Sequence, residues 1–250
     1  MKNKIDFIIT GAQKSGTSAA YYYLDNHAQV EMAANKELHF FDNDTRFSSL
    51  RHPYHDYSEY HKYFDFTSGK KVYGECTPSY IYYEPVMQRI HQYNPDIKLV
   101  TLLRNPVTRA FSGWNMEMQR AETEDFAYCI QHEKERLQTG DSFHKIYHSY
   151  IDRGYYAQQI KRIYQFFDKK QCLFIKYEDF LAHQEVILYK MFDFLGISSD
   201  NYDYQYKVAH KRTYDRTITK EEKDYLLNVY KDDIIEVEQL LGWNCDDWKV

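Results

Sequence analysis

Residues 8–17 (IITGAQKSGT) combine a short apolar run with two glycines, a lysine and hydroxyl side chains. A glycine-rich turn that leads into a helix presents backbone N–H groups to one concave site, which suits a phosphate-like anion. In the nucleotide-binding loop G-x-x-x-x-G-K-[ST] the lysine follows the second glycine, whereas here Lys14 precedes Gly16 by two residues. The segment predicts an anion site whose lysine approaches a bridging or leaving oxygen. The alternative is an ordinary turn between a strand and a helix.

A second segment, LLRNPVTRAFSGW (102–114), has the same form. Arg104 ends an apolar run, and Ser112 lies about two turns into the helix that follows. An arginine fork at such a corner, the turn between a strand and the helix that follows it, can hold a phosphate dianion through two N–H bonds. The alternative is that Arg104 and Arg109 only solvate the start of a helix. The anion-site interpretation gains weight because both corners are expected at one edge of the same sheet.

These corners must be positioned by strands and helices, which the pattern of apolar residues predicts. The predicted strands are 5–10, 72–75, 97–103 and 172–176. The predicted helices are 16–26, 57–65, 85–93, 106–119, 124–138, 153–167, 184–195 and 219–241, with an irregular segment at 32–55. Strands that alternate with helices, without hairpin signals, predict an α/β fold with a central, mostly parallel sheet and helices on both faces. Ligands of such sheets bind at the carboxyl ends of the strands.

The composition limits the classes of function. No Gly-, Pro- or Ser-rich tract divides the 250 residues, so we expect one domain over residues 1–250. The net charge of −5, from 32 basic and 37 acidic residues, argues against a protein that binds nucleic acid through its overall field. Any anion site must therefore be local.

The four cysteines form no C-x-x-C pair, which fits a reducing compartment. We find no signal peptide and no membrane-spanning segment, and so expect a cytoplasmic protein without a membrane partner. None of the eleven histidines stands in metal-binding spacing with a plausible third ligand, so we expect no metal site.

Taken in order, the motifs resemble those of sulfotransferases that use 3′-phosphoadenosine 5′-phosphosulfate (PAPS). GAQKSGTS resembles their 5′-phosphosulfate loop, and RNPVTRAFSGW resembles their 3′-phosphate motif, R-x-P-x-x-R-x-x-S. The resemblance continues in KELHFFD (36–42), GECTPSYIYY (74–83), RGYYAQQIKRIYQFF (153–167), LFIKYEDFLAHQEVILYKMFDFLGI (173–197) and HKRTYDR (210–216). It spans almost the whole chain and is closest to the branch that contains glycosaminoglycan and bacterial small-molecule sulfotransferases.

This resemblance implies a P-loop-like sulfotransferase fold and in-line transfer of a sulfuryl group from PAPS to a hydroxyl of a small metabolite or saccharide. Adenosine 3′,5′-bisphosphate (PAP) would be the product, and no metal would be needed. The implied donor-binding residues of the first loop are Gly11, Gln13, Lys14, Ser15, Gly16, Thr17 and Ser18. Lys14 would neutralise the charge that develops on the bridging oxygen. Arg104 and Ser112 would hold the 3′-phosphate, with Lys211 and Arg212 as helpers.

An attacking alcohol must lose its proton, so a general base is expected within hydrogen-bonding reach. In the glycosaminoglycan branch the glutamate of the KELHFF motif is the base, and Glu37 matches it by position. Other branches use a histidine, which keeps His39 as a candidate, and Glu75 at a strand end is a third. The alternative for Glu37 is a surface carboxylate paired with Lys36.

One position departs from the resemblance, and two other functions stay open. Heparan-type relatives commonly have Glu-Lys-Thr-Pro where this chain has Cys76 in the lysine position, which argues against a heparan-like acceptor. A P-loop kinase or NTPase would require Mg²⁺ and prefer ATP. A non-catalytic module would bind the nucleotide without turnover. No motif in residues 43–70 or 121–152 identifies the acceptor.

Overall fold

A computed structural model describes residues 4–44, 47, 57–200, 202–205 and 214–250. The strands are β1 (Phe7–Gly11), β2 (Val30–Met32), β3 (Val72–Cys76), β4 (Lys98–Leu103) and β5 (Cys172–Lys176). The helices are α1 (Thr17–Asp25), α2 (Ser58–His61), α3 (Val86–Tyr93), α4 (Pro106–Glu117), α5 (Phe126–Gln138), α6 (Ser142–Tyr147), α7 (Tyr156–Tyr164), α8 (Tyr177–Ala182), α9 (Gln184–Leu195) and α10 (Lys220–Leu241). None of these helices is long and apolar enough to cross a membrane.

The five strands pair in the order β2-β3-β1-β4-β5, and every pair is parallel. The predicted α/β fold with a parallel sheet is confirmed. Crossover connections between parallel strands pass over the faces of the sheet, so the central strands are covered and apolar. In β1 all five residues are accordingly buried.

The contacts of the chain divide it into two units. The first consists of Met1–Leu103 with Lys161–Ala209 and contains the whole sheet. The second consists of Arg104–Ile160 with His210–Val250. The expectation of a single domain over residues 1–250 stays a prediction.

Alternate residues of the strands in the first unit face opposite sides of the sheet. On one side, Phe7 and Ile9 of β1 and Cys76 of β3 join a buried core with apolar residues of α1 and α9. On the other side, Glu75 meets Tyr60 of α2. Helical residues therefore pack on both faces, as the sequence predicts.

In the second unit, α4 begins as the sequence predicts. Asn105 is the N-cap residue, and its side-chain oxygen accepts a hydrogen bond of 2.9 Å from the N–H of Val107. Pro106 occupies the first helical position, where its missing N–H costs no helical hydrogen bond. Glu133 of α5 is buried, and its carboxylate accepts hydrogen bonds from the N–H groups of Ile151 and Asp152, at 2.6 and 2.7 Å.

Three elements are absent from the sequence prediction. They are β2, α6 and α8. Each has three to six residues, which is too short for periodicity to distinguish it from a loop. The predicted helix 153–167 is shorter than expected, because a 3₁₀ turn at Asp152–Gly154 precedes α7. Part of the predicted irregular segment 32–55 lies outside the described residues.

Candidate functional site

The loop between β1 and α1 is packed so closely that only glycine fits at its two ends. A Cβ atom on Gly11 would lie 2.4 Å from the Ile81 side chain. A Cβ atom on Gly16 would lie 2.7 Å from the Tyr177 ring, and Gly16 also has a φ of +86°, a conformation that glycine adopts without strain. The loop is further tied to the sheet by a 2.6 Å hydrogen bond from the N–H of Ala12 to the carbonyl of Leu102.

The residues of the first segment that are predicted to bind the donor form this loop and its two ends. Gly11, Ser15 and Thr17 are buried, and Gln13, Lys14, Gly16 and Ser18 are partly exposed. The Ser15 hydroxyl is buried without a hydrogen-bond partner among the described residues. Because buried polar groups are almost always paired, this hydroxyl is suited to a ligand atom. Helix α1 starts at Thr17, so the N–H groups of Thr17 and Ser18 have no helical carbonyl before them to donate to. The loop therefore fits an oxyanion group.

Three non-glycine residues in the described part of the chain have positive φ angles: Lys14 at 70°, Glu37 at 64° and His39 at 50°. Such conformations cost about 1–3 kcal/mol each and cluster at functional sites. All three residues are the ones that the sequence predicts to be catalytic. The backbone strain is thus found at the residues that are predicted to act in catalysis.

Residues 36–42 form a segment beside the end of β3, which we call the 36–42 segment. The N–H of Glu37 donates to the carbonyl of Cys76 at 2.9 Å. The Glu37 carboxylate contacts Lys36 Nζ and lies 3.8 Å from His39 Nε2. Its side chain is 43% exposed. The contact with Lys36 that the alternative interpretation requires is therefore present, but it leaves the carboxylate accessible to an acceptor.

His39 is held by a residue that the sequence analysis did not single out. Its Nδ1 lies 2.9 Å from Asp42 Oδ2, and the Ser79 hydroxyl donates to the same carboxylate oxygen at 2.6 Å. The hydrogen bond to Asp42 raises the pKa of His39 above its usual value. The His-x-x-Asp spacing was the only sequence signal for this pair.

The third candidate base, Glu75, is fully buried. Tyr60 and Thr77 donate hydrogen bonds to its two carboxylate oxygens, at 2.8 and 3.2 Å. Burial raises the pKa of Glu75 to about 7 despite these donors. A general base must touch the proton that it removes, and this side chain has no exposed surface. Its position therefore favours Glu37 and His39 over Glu75.

Two buried carboxyl groups should make the stability of the protein depend on pH. Burial raises the pKa values of Glu75 and Glu133 from 4.5 to about 7. The folded state therefore binds more protons than the unfolded state between these values, and the free energy of unfolding falls as the pH rises from about 4.5 to about 7. Each group contributes up to roughly 3 kcal/mol, at about 1.4 kcal/mol per pKa unit.

We expect urea unfolding at pH 5 and at pH 7.5 to show this loss in the wild type. Glu75→Gln and Glu133→Gln should each lose less stability over the same interval, because the amide does not ionise. Wild-type and variant curves that run parallel would contradict the assignment.

The predicted 3′-phosphate residues lie in the second unit. Arg104 Nε donates to the Thr108 hydroxyl at 2.9 Å, and Ser112 Oγ lies 2.8 Å from Tyr214 Oη. Thr108 and Ser112 are four residues apart in α4, a spacing that places both on one side of the helix. Arg109 is buried and donates to the carbonyl of Tyr150. It therefore supports the packing of the second unit and does not solvate the start of the helix.

Lys211 and Arg212 lie outside the described residues. Within the described part of the chain, no three His, Cys, Asp or Glu side chains are grouped so as to hold a metal ion. His144 and His148, four residues apart, contact each other at 2.8 Å.

Curated relatives of the chain are sulfotransferases. The chain is 33% identical to heparan sulfate glucosamine 3-O-sulfotransferase 5 of Mus musculus over 121 residues, which cover 48% of this chain and 33% of that protein. It is 29% identical to heparan sulfate glucosamine 3-O-sulfotransferase 6 of Homo sapiens over 192 residues, which cover 76% of this chain and 52% of that protein. The matches thus span about a third to a half of the length of these relatives.

Solved structures agree with this result. A sulfotransferase from Alicyclobacillus acidocaldarius superposes with a TM-score of 0.82 at 26% identity and covers 99% of both chains. A mouse sulfotransferase complexed with PAP superposes with a TM-score of 0.51 at 19% identity, over 80% of this chain and 62% of that one, and so shares the fold. The family model described as the sulfotransferase domain matches residues 4–228, nearly the whole chain. The chain therefore belongs to the sulfotransferase family.

Proposed function

We propose that this protein is a PAPS-dependent O-sulfotransferase that transfers a sulfuryl group to a hydroxyl of a small metabolite or saccharide. The observation that carries the proposal is the backbone strain at Lys14, Glu37 and His39. One of these residues follows β1 in the anion-binding loop, and the other two lie beside the end of β3. Strain of this kind persists only where the surrounding structure imposes it.

The donor supplies an activated sulfuryl group next to a phosphate. The backbone of residues 11–18 and the unpartnered Ser15 hydroxyl would hold that phosphate. Lys14 would place its ammonium group at the bridging oxygen, where negative charge accumulates as the S–O bond breaks. In the second unit, Arg104 and Ser112 would hold the 3′-phosphate.

On the acceptor side, Glu37 would take the proton of the attacking hydroxyl as its oxygen forms the new bond to sulfur. His39, whose pKa is raised by its hydrogen bond to Asp42, lies 3.8 Å from the Glu37 carboxylate and would fix its direction. The electron pair of the broken S–O bond remains on the phosphate oxygen next to Lys14. No covalent intermediate on the protein is required.

The acceptor is inferred to differ from heparan sulfate, the acceptor in the names of the mammalian relatives. Cys76 is fully buried, and its thiol donates to the carbonyl of Thr17 at 3.8 Å. This position therefore presents no cation to a polyanionic saccharide. The cytoplasmic location also stays a prediction.

Isothermal titration with PAP and with ATP tests the proposal. We expect PAP to bind with equal affinity in the presence and absence of a chelator, and ATP to bind more weakly under both conditions. Preference for ATP with Mg²⁺ would instead support a kinase or NTPase. Tight PAP binding without any transfer of label from PAPS to a cell extract would support a non-catalytic module.

Arg104→Ala extends the same titration. The substitution removes charge-assisted hydrogen bonds to the 3′-phosphate, so PAP affinity should fall about 10- to 100-fold, on the scale of about 1.5–3 kcal/mol for such bonds. Affinity for AMP, which lacks that phosphate, should hardly change. Arg120→Ala, at an exposed arginine just after α4, is the matched control. An equal loss for PAP and AMP would make Arg104 a structural residue.

A further inference from the structure

Three hydroxyl groups converge on the buried carboxyl of Glu75. Tyr60 donates to Oε1 at 2.8 Å, Thr77 donates to Oε2 at 3.2 Å, and the Tyr80 hydroxyl also interacts with the carboxyl. Tyr60 and Tyr80 are themselves fully buried. Above its pKa of about 7, Glu75 is a carboxylate, which accepts several hydrogen bonds and can satisfy all three hydroxyls at once.

Tyr80 connects this carboxyl to the backbone of the 36–42 segment. Its hydroxyl oxygen accepts hydrogen bonds from the N–H groups of Phe40, at 2.9 Å, and Phe41, at 3.3 Å. Because the oxygen is thus used as an acceptor, the hydroxyl proton is left for the side chains of Glu75 and Thr77, with which Tyr80 interacts. These two amides directly follow His39, so the hydrogen bonds to Tyr80 hold the backbone next to a residue with a positive φ angle.

Tyr60 makes a second connection through packing. Its ring centroid lies 4.7 Å from that of Phe40 and 5.2 Å from that of Phe41. The Phe41 ring also packs edge-on against Tyr80, at 5.7 Å. Both tyrosines that bind Glu75 therefore also hold the two phenylalanines that separate His39 from Asp42.

We propose that Glu75 is a positioning residue that, through Tyr80 and Tyr60, holds the 36–42 segment in the conformation that presents Glu37 and His39. The catalytic role of this positioning rests on the proposed function. The effect of Glu75 on the conformation of the 36–42 segment does not. Positive φ angles at two residues of the segment need an external restraint, and the hydrogen bonds to the Phe40 and Phe41 amides supply one next to His39.

Glu75→Gln is the direct variant. Glutamine keeps the shape of the side chain, but its NH₂ group is a donor that faces hydroxyl donors, so at least one of the three hydrogen bonds is lost or reversed. We expect the exchange rates of the Phe40 and Phe41 amides, measured by NMR at about pH 8, where Glu75 is ionised, to rise at least tenfold. The amides of β4 should exchange at the wild-type rate.

Tyr80→Phe should reproduce this local effect, because it removes the acceptor of both amides. The double variant should exchange no faster than the faster single variant, since both changes break one connection. Glu133→Gln is the matched control, since it alters an equally buried carboxyl of the second unit. It should leave the Phe40 and Phe41 amides at the wild-type exchange rate.

A functional measurement accompanies the exchange data. Transfer of label from PAPS to the metabolite fraction of a cell extract should slow at least tenfold in Glu75→Gln, with PAP affinity unchanged. Wild-type exchange at Phe40 and Phe41 in Glu75→Gln, or faster exchange throughout the sheet, would overturn the proposal. If the wild type transfers no label, the proposed function fails, whereas the exchange rates still decide the role of Glu75.

Discussion

Lys14→Ala is expected to lower the rate of sulfuryl transfer by roughly a hundredfold or more, the scale on which removal of one preorganised electrostatic contact acts. Affinity for PAP should change far less. In the proposed mechanism the ammonium group is needed chiefly when charge develops on the bridging oxygen, so it would stabilise the transition state more than the bound donor. The backbone of the loop, which the substitution leaves in place, would still hold the phosphate.

Single-turnover rates and PAP titrations on the same protein preparations separate the two effects. Lys14→Gln is the matched control for side-chain length, because it restores most of the side chain without the charge. It should be as slow as Lys14→Ala. If Lys14→Gln regains the rate, or if Lys14→Ala loses only affinity, the charge does not have the proposed role.

Glu37→Gln should lower the transfer rate by roughly a hundredfold or more, the usual scale of general-base catalysis. The amide keeps the shape and hydrogen-bonding reach of the side chain but lacks its basicity. PAP affinity should hardly change. The loss should be smaller for a phenol than for an alcohol, because a more acidic hydroxyl needs less help to release its proton.

His39→Ala measured beside Glu37→Gln identifies the base. The test uses single-turnover rates with saturating donor and an alcohol acceptor recovered from the labelled extract. Near-wild-type rates for Glu37→Gln together with a collapse for His39→Ala would move the base to His39. Retention of rate in both variants would point to a mechanism without either group as the base.

Local patterns were enough to predict the elements that carry the two segments for which anion binding is predicted. The apolar run before Gly11 and the Asn105-Pro106 pair are signals that neighbouring residues set, and the structure contains β1 and α4 at these places. Strand β5 was predicted with its observed ends, since CLFIK is bounded by a polar residue on each side. Short-range chemistry thus determines where a strand ends and a helix begins.

The support of the 36–42 segment could not be predicted in the same way. Ser79 lies 37 positions after Asp42, and Tyr80 lies 40 positions after Phe40. These partners meet because the 36–42 segment lies beside the end of β3 and the residues that follow it. No periodic pattern in the sequence indicates such a pairing. From the sequence, Glu75 was a candidate base. Its burial and its three hydroxyl partners, which disfavour that role, cannot be predicted from the residues next to it in the sequence.

The positive φ angles of Lys14, Glu37 and His39 also bear on attempts to make this protein more heat-resistant. Glycine relieves left-handed backbone strain, so a screen for thermostable variants should favour glycine at these three positions. Each such gain would remove a side chain that the proposed reaction uses, as expected of a trade-off between stability and activity. Selection for heat resistance alone is therefore expected to replace first the residues that are proposed to act in catalysis.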